Sequence, residues 1–124
     1  MSVPPFWSLR QTNDDIELEG PSGSTSVIVT AFQRNRGNAA LDAREYLKHY
    51  LETAPRNGRL SVSKGTRLKA GARYRDQEGD NWEVSFITNG DTLLLATCNS
   101  SNPWNNREMK TALSVIESLR LLKK

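Results

Sequence analysis

Asn89-Gly90 is the strongest short-range constraint on this chain. An Asn-Gly pair between alternating apolar runs closes a tight β-hairpin, because both residues tolerate the positive φ such a turn needs. Before it, Trp82, Val84, Phe86 and Thr88 alternate with Glu83, Ser85 and Ile87; after it, Thr92 to Cys98 carries Leu93, Leu94 and Leu95 in succession. A strand that is apolar on both parities needs cover on both sides. The hairpin therefore predicts an antiparallel sheet with material packed against each face.

Two amphipathic helices can supply that cover. Asp42 is placed to cap the first, with Glu45 three residues on completing a capping box and Leu41 and Tyr46 forming a hydrophobic staple. Ala43, Tyr46, Leu47, Tyr50, Leu51 and Ala54 follow the helical apolar stripe, and Pro55 and Gly58 end it. The second helix has Asn105 as cap, Glu108 three residues on, and Trp104 with Met109 as staple. Its stripe is Met109, Ala112, Leu113, Ile116 and Leu119 or Arg120, and Lys123 and Lys124 suit a helix C-terminus.

Five further runs read as strands, with turns between them. The proline-bearing start, Met1 to Pro5, is expected to hang loose or lie along an edge, and Phe6, Trp7 and Leu9 open a short first strand. Ile16 and Leu18 alternate with acidic residues, and Ser26 to Phe32 is apolar on both parities and so central. Leu60 to Ser63 leads through a turn near Lys64-Gly65 to a strand from Arg67 to Arg75, and Asp76 to Asn81 turns around Gly79. At 124 residues the chain fits one domain. The expectation is a single α+β domain over residues 1–124: one antiparallel sheet of about six strands flanked by two helices, an α/β/α sandwich.

The strand from Arg67 to Arg75 carries the main functional signal. Leu68, Ala70, Ala72 and Tyr74 share one face; Arg67, Lys69, Arg73 and Arg75 share the other, with Gly71 among them. Net charge is only +3, but it is unevenly spread. Residues 59–75 hold six basic and no acidic side chains, and residues 76–92 hold five acidic and no basic ones. A basic block followed across a turn by an acidic one commonly reflects cross-strand ion pairing. The same row of cations could instead meet an acidic partner surface, where the planar fork of arginine binds carboxylates well. Trp104, in the polar loop Asn99 to Asn106, is a second candidate anchor, against its role as a helix staple.

The hairpin Trp82 to Cys98, the capped helix Leu41 to Leu51, the aromatic pair Phe6-Trp7 and the closing Ile116-Glu117-Ser118-Leu119 carry a family resemblance. Over most of its length the chain resembles the α/β/α sandwich family of the photosystem II extrinsic protein PsbP and the yeast Ran-binding nucleotide-release factor, and small bacterial proteins of that type. The resemblance implies a non-catalytic binding or accessory protein: a chaperone, adaptor or toxin-immunity factor. It transfers no binding residues, since its motifs are patterns of hydrophobicity and turns.

The residues offer little chemistry. His49 is the sole histidine and stands one step off the helical stripe, as a surface residue. Cys98, the sole cysteine, lies in an apolar run and reads as a small buried hydrophobe. No Cys/His cluster has zinc spacing; Asp76, Glu78 and Asp80 lack the remainder of a calcium loop and read as a solvated turn. No glycine-rich phosphate loop appears. The reading is therefore not an enzyme, without catalytic, cofactor-binding or metal residues. Nucleic acid or another polyanion is the alternative ligand, disfavoured because the basic face interleaves no aromatic. No targeting run or membrane-length apolar segment is visible, so a cytoplasmic location is expected.

Overall fold

The computed structural model of the chain describes residues 3–34, 39–54, 60–62 and 65–121. Among these it has seven strands and two α-helices: β1 (Ser8–Gln11), β2 (Asp15–Glu19), β3 (Thr25–Gln33), α1 (Ala43–Thr53), β4 (Ser61–Val62), β5 (Lys69–Arg75), β6 (Asn81–Thr88), β7 (Thr92–Ser100) and α2 (Arg107–Glu117). The strands form one fully antiparallel sheet in the order β1-β2-β3-β7-β6-β5-β4. β3 and β7, the runs read as apolar on both parities, pair over nine residues at its centre.

Two hydrophobic clusters divide the buried residues by parity. One gathers Leu18, Val27, Val29, Ile87, Ala96 and Cys98 with Met109, Ala112, Val115 and Ile116 of α2. The other gathers Ala70, Ala72, Tyr74, Val84, Phe86 and Leu93 with Ala43 and Leu47 of α1. Neighbours in sequence fall in different clusters: Phe86 against Ile87, and Leu93 against Leu94. Successive side chains of a strand project from opposite faces, so the run Leu93-Leu94-Leu95 serves both clusters. The helices are also offset sideways, α1 over β5 and β6, α2 over β3 and β7.

Cap chemistry explains where each helix begins. Asp42 is the N-cap of α1, its carboxylate accepting from the Arg44 N–H at 3.0 Å. Burial pushes its pKa up, but the Arg44 hydrogen bonds and charge outweigh this and hold it below the usual value. The cap of α2 is Asn106, not Asn105: its side-chain oxygen accepts from Glu108 N–H at 2.9 Å and Met109 N–H at 3.3 Å. That one-residue shift takes Glu108 out of the capping box. Its carboxylate instead accepts from the Ser22 hydroxyl at 2.7 Å and the Ser22 N–H at 3.1 Å, tying the β2–β3 turn to α2. The stripe of α2 gains Val115, which the sequence pattern missed, and Arg120 lies outside it, exposed. The Arg120 guanidinium donates to the carbonyls of Glu117 and Leu119 at 2.6 and 2.8 Å, a cationic finish to the helix C-terminus.

Three local expectations are corrected. β1 starts at Ser8, because Pro4 to Trp7 forms a turn closed by Trp7 N–H to Pro4 C=O at 3.3 Å. Phe6 sits in it with φ 68° and is 91% exposed, whereas Trp7 packs against the α2-side cluster. Leu68 lies before β5 in a bend and is exposed, while Ala70, Ala72 and Tyr74 are buried as the alternation required. The β6–β7 turn closes on Gly90-Asp91, one residue later than Asn89-Gly90. The Asn89 side chain accepts from the N–H groups of Asp91 and Thr92, and Gly90 takes φ 98°. Met1, Ser2, Arg36, Pro55, Gly58, Ser63, Lys64, Lys123 and Lys124 lie outside the described residues.

Candidate functional site

The lateral offset of α2 leaves its side of β5 uncovered, and there the basic residues emerge. Lys69, Arg73 and Arg75 are exposed on this face, opposite Ile87, Glu83 and Asn81 of β6. Arg67 does not join them. It precedes β5 in the same bend as Leu68, its carbonyl accepts from the Ala43 N–H at 2.8 Å, and its charge acts on Asp42 at the start of α1. The expected row of four cations is a row of three.

Cross-strand pairing accounts for one of those three. Arg73 Nε donates to Glu83 Oε1 at 2.8 Å across the β5–β6 register. Its guanidinium also lies over the Trp104 ring, 4.8 Å from the centroid. This is a cation–π contact of the partly exposed kind, worth about 0.5–1 kcal/mol. Trp104 is thereby held between Arg73 and the α2-side cluster, half-buried. The two features that the sequence offered separately, basic face and loop tryptophan, meet at Arg73. Trp104 cannot staple α2 to Met109 in the expected register, since the cap is Asn106; both residues pack on the same cluster instead.

Two adjoining hollows run along this face and share Lys69. One, of about 650 Å³, is floored by Gly71 and Ser85, flanked by Lys69 and Arg73, and walled by Ile116 and Glu117 of α2. The other, of about 720 Å³, lies between Leu68 and Ile87 on one side and Leu119 and Leu121 on the other. Gly71 lowers the floor because it presents no side chain where Arg73 and Lys69 rise beside it. The sequence pattern could not identify Ile116 or Glu117 as lining residues, because α2 reaches the groove only through tertiary packing; Ser85 could have been found from its cross-strand place opposite Gly71. Charge in the hollows is mixed, with Glu83 and Glu117 beside Lys69 and Arg73. Among the described residues Lys69 and Arg75 make no ion pair.

Nucleophile and base do not converge here. Cys98 is fully buried, its sulfur 3.6 Å from that of Met109, and burial, with a smaller contribution from Glu83, pushes its thiol pKa up to about 12. A thiol so far from ionisation is a poor nucleophile. His49 stands on the outer face of α1, 3.6 Å from Glu52. Among the described residues no three His, Cys, Asp or Glu side chains gather to hold a metal ion, and no helix is long and apolar enough to cross a membrane.

No protein-family model matches this sequence, and no curated protein matches it.

Proposed function

We propose that this protein is a non-catalytic interaction module that uses the uncovered α2-side face of β5 and the adjoining groove to hold an acidic protein segment. The observation that carries this reading is the pair of hollows sharing Lys69, with Lys69 and Arg75 exposed and outside any ion pair among the described residues. A groove with apolar walls and a few placed charges is the form a peptide site takes. Trp104, braced under Arg73, would anchor one end. In this reading the parity-divided cores and two helices are those of an α/β/α sandwich of the PsbP-like kind. The accessory roles of that family, chaperone, adaptor or toxin-immunity factor, are the ones to test first, in the cytoplasm.

Polyanion binding fits less well. Arg73 and Arg34 already face Glu83 and Asp91, at 2.8 and 2.7 Å, which lowers the positive charge these two present to phosphates. The deciding experiment measures binding of a fluorescent polyglutamate peptide and of heparin to the wild type and to the Lys69→Glu/Arg75→Glu double variant. The proposal expects saturable peptide binding that the double variant loses, with weaker heparin retention. Tight, steeply salt-dependent heparin binding without peptide binding would establish the polyanion reading. Equal peptide affinity in both proteins would remove the face from consideration.

A further inference from the structure

The opposite face of the same hairpin holds a second cavity of unlike chemistry. Tyr74 and Trp82 are cross-strand partners whose rings stack with centroids 6.0 Å apart and planes 5° apart. Tyr50, from α1, meets Tyr74 hydroxyl to hydroxyl at 2.9 Å. With Thr53 and Ala54 these rings line a cavity of about 490 Å³, and the β5–β6 turn brings Asp76 and Glu78 to its mouth. Gly79 at φ 91° lets that turn close, Asp76 N–H donating to Asp80 C=O at 2.9 Å.

We propose that this aromatic cavity binds an alkylammonium cation. Aromatic rings backed by carboxylates attract a cation through the ring quadrupole and through direct charge, and they repel an anion. The volume falls within the range of small-ligand sites. The state of Asp76 narrows the cation further. Its Oδ1 accepts from the N–H groups of Glu78 and Asp80 at 2.9 and 3.0 Å, and its Oδ2 accepts from the Trp82 indole N–H at 2.7 Å. Those bonds, the indole donation foremost, outweigh the upward push of burial and lower the Asp76 pKa below its usual value. Both oxygens are thus engaged, so Asp76 supplies charge without presenting an open two-oxygen face to a guanidinium fork. A cation with few or no N–H donors, such as a methylated ammonium, asks for charge and ring contact alone. Glu78, exposed at the mouth, adds a second negative charge. The site is independent of the groove on the α2 side, which takes the other parity of the same strands.

The test titrates the isotopically labelled protein with tetramethylammonium and follows the Trp82 indole N–H, which reports directly on the Asp76 bond. A saturable shift is expected, with a Kd of about 1 mM or tighter. Choline should bind at least tenfold more tightly than its neutral isostere 3,3-dimethylbutanol, about the factor set by the charge. Glu78→Gln, an exposed change that leaves the turn intact, should weaken tetramethylammonium about threefold. Thr53→Lys, which sets a fixed cation at the rim, should weaken it more. An equal response to the neutral isostere, or a shift that never saturates in the folded protein, would overturn the proposal. Choline and a trimethyl-lysine peptide then separate two sources of the same group: tighter peptide binding assigns the cavity to a modified protein tail, and equal or tighter choline binding assigns it to a free small molecule.

Discussion

The two faces of the β5–β6 hairpin are built from alternate residues of the same strands, yet they differ in nearly every physical respect. On the α1 side Ala70, Ala72, Tyr74, Val84 and Phe86 are buried, and the face ends in three aromatic rings under an acidic turn. On the α2 side Lys69, Arg73 and Arg75 stand in solvent above Gly71, and the face ends in a groove beside α2. One face holds the sheet to a helix. On the other, Ile87 of β6 joins the α2-side cluster, but the β5 half contributes little packing and is left with surface chemistry. Stability and recognition are thereby separated at neighbouring residues, so substitutions one position apart should have unlike effects.

The widest separation is expected between Tyr74 and Arg73. Tyr74→Ala removes a side chain 5% exposed, along with its stacking on Trp82 and its hydroxyl contact with Tyr50, and should cost about 3–5 kcal/mol in urea unfolding. Arg73→Ala, one residue away, loses an exposed ion pair and a cation–π contact and should cost about 1 kcal/mol or less. Equal losses would mean that Trp104 depends on Arg73 for its place in the core.

Asp76→Asn sharpens the acidic end of the comparison. Weakened hydrogen bonds to the turn and to the Trp82 indole should cost about 1–2 kcal/mol at neutral pH. The sign of its pH dependence follows from a folded-state pKa that lies below the ordinary value of 3.8. Such a carboxylate stabilises the fold fully above that ordinary value, and the contribution is lost as pH falls from there through the folded-state pKa. The stability gap between the wild type and Asp76→Asn should therefore be full and constant above about pH 4, shrink as the pH falls below that, and be smallest at the lowest pH.

Smaller effects belong to the basic face. Glu83→Gln, which removes the partner of Arg73, should change stability by about 0.5–1 kcal/mol and lose that difference at high salt. Lys69→Glu with Arg75→Glu should leave thermal unfolding within about 0.5 kcal/mol of the wild type, because both side chains are exposed and outside ion pairs among the described residues. A large loss there would show that the face is structural and would close the gap between the two sides.

Much of this arrangement was legible in the chain. Alternation placed Ala70, Ala72 and Tyr74 inward, the double parity of Val27–Phe32 and Leu93–Leu95 placed β3 and β7 at the centre, and Asp42 marked the start of α1. The misplacements are local. Asn106 displaces Asn105 as a cap, Gly90-Asp91 displaces Asn89-Gly90 as a turn, and Arg67 and Leu68 fall into a bend before β5. In the first two, adjacent residues could fill one role and hydrogen bonding decided between them; in the third, the Thr66 hydroxyl accepts from the Leu68 and Lys69 N–H groups and turns the chain before β5.

Side-chain period, turn residues and caps act over a few residues, so sequence alone determined both helices, the apolar parity of the inner strands and the antiparallel pairing, although it anticipated about six strands where the sheet has seven. The lateral offset of the helices across the sheet depends on contacts between segments far apart in the chain. Tertiary structure alone therefore decided that α2 leaves Lys69 and Arg75 uncovered, that Trp104 comes to lie beneath Arg73, and that Tyr50 closes an aromatic cavity with Tyr74 and Trp82.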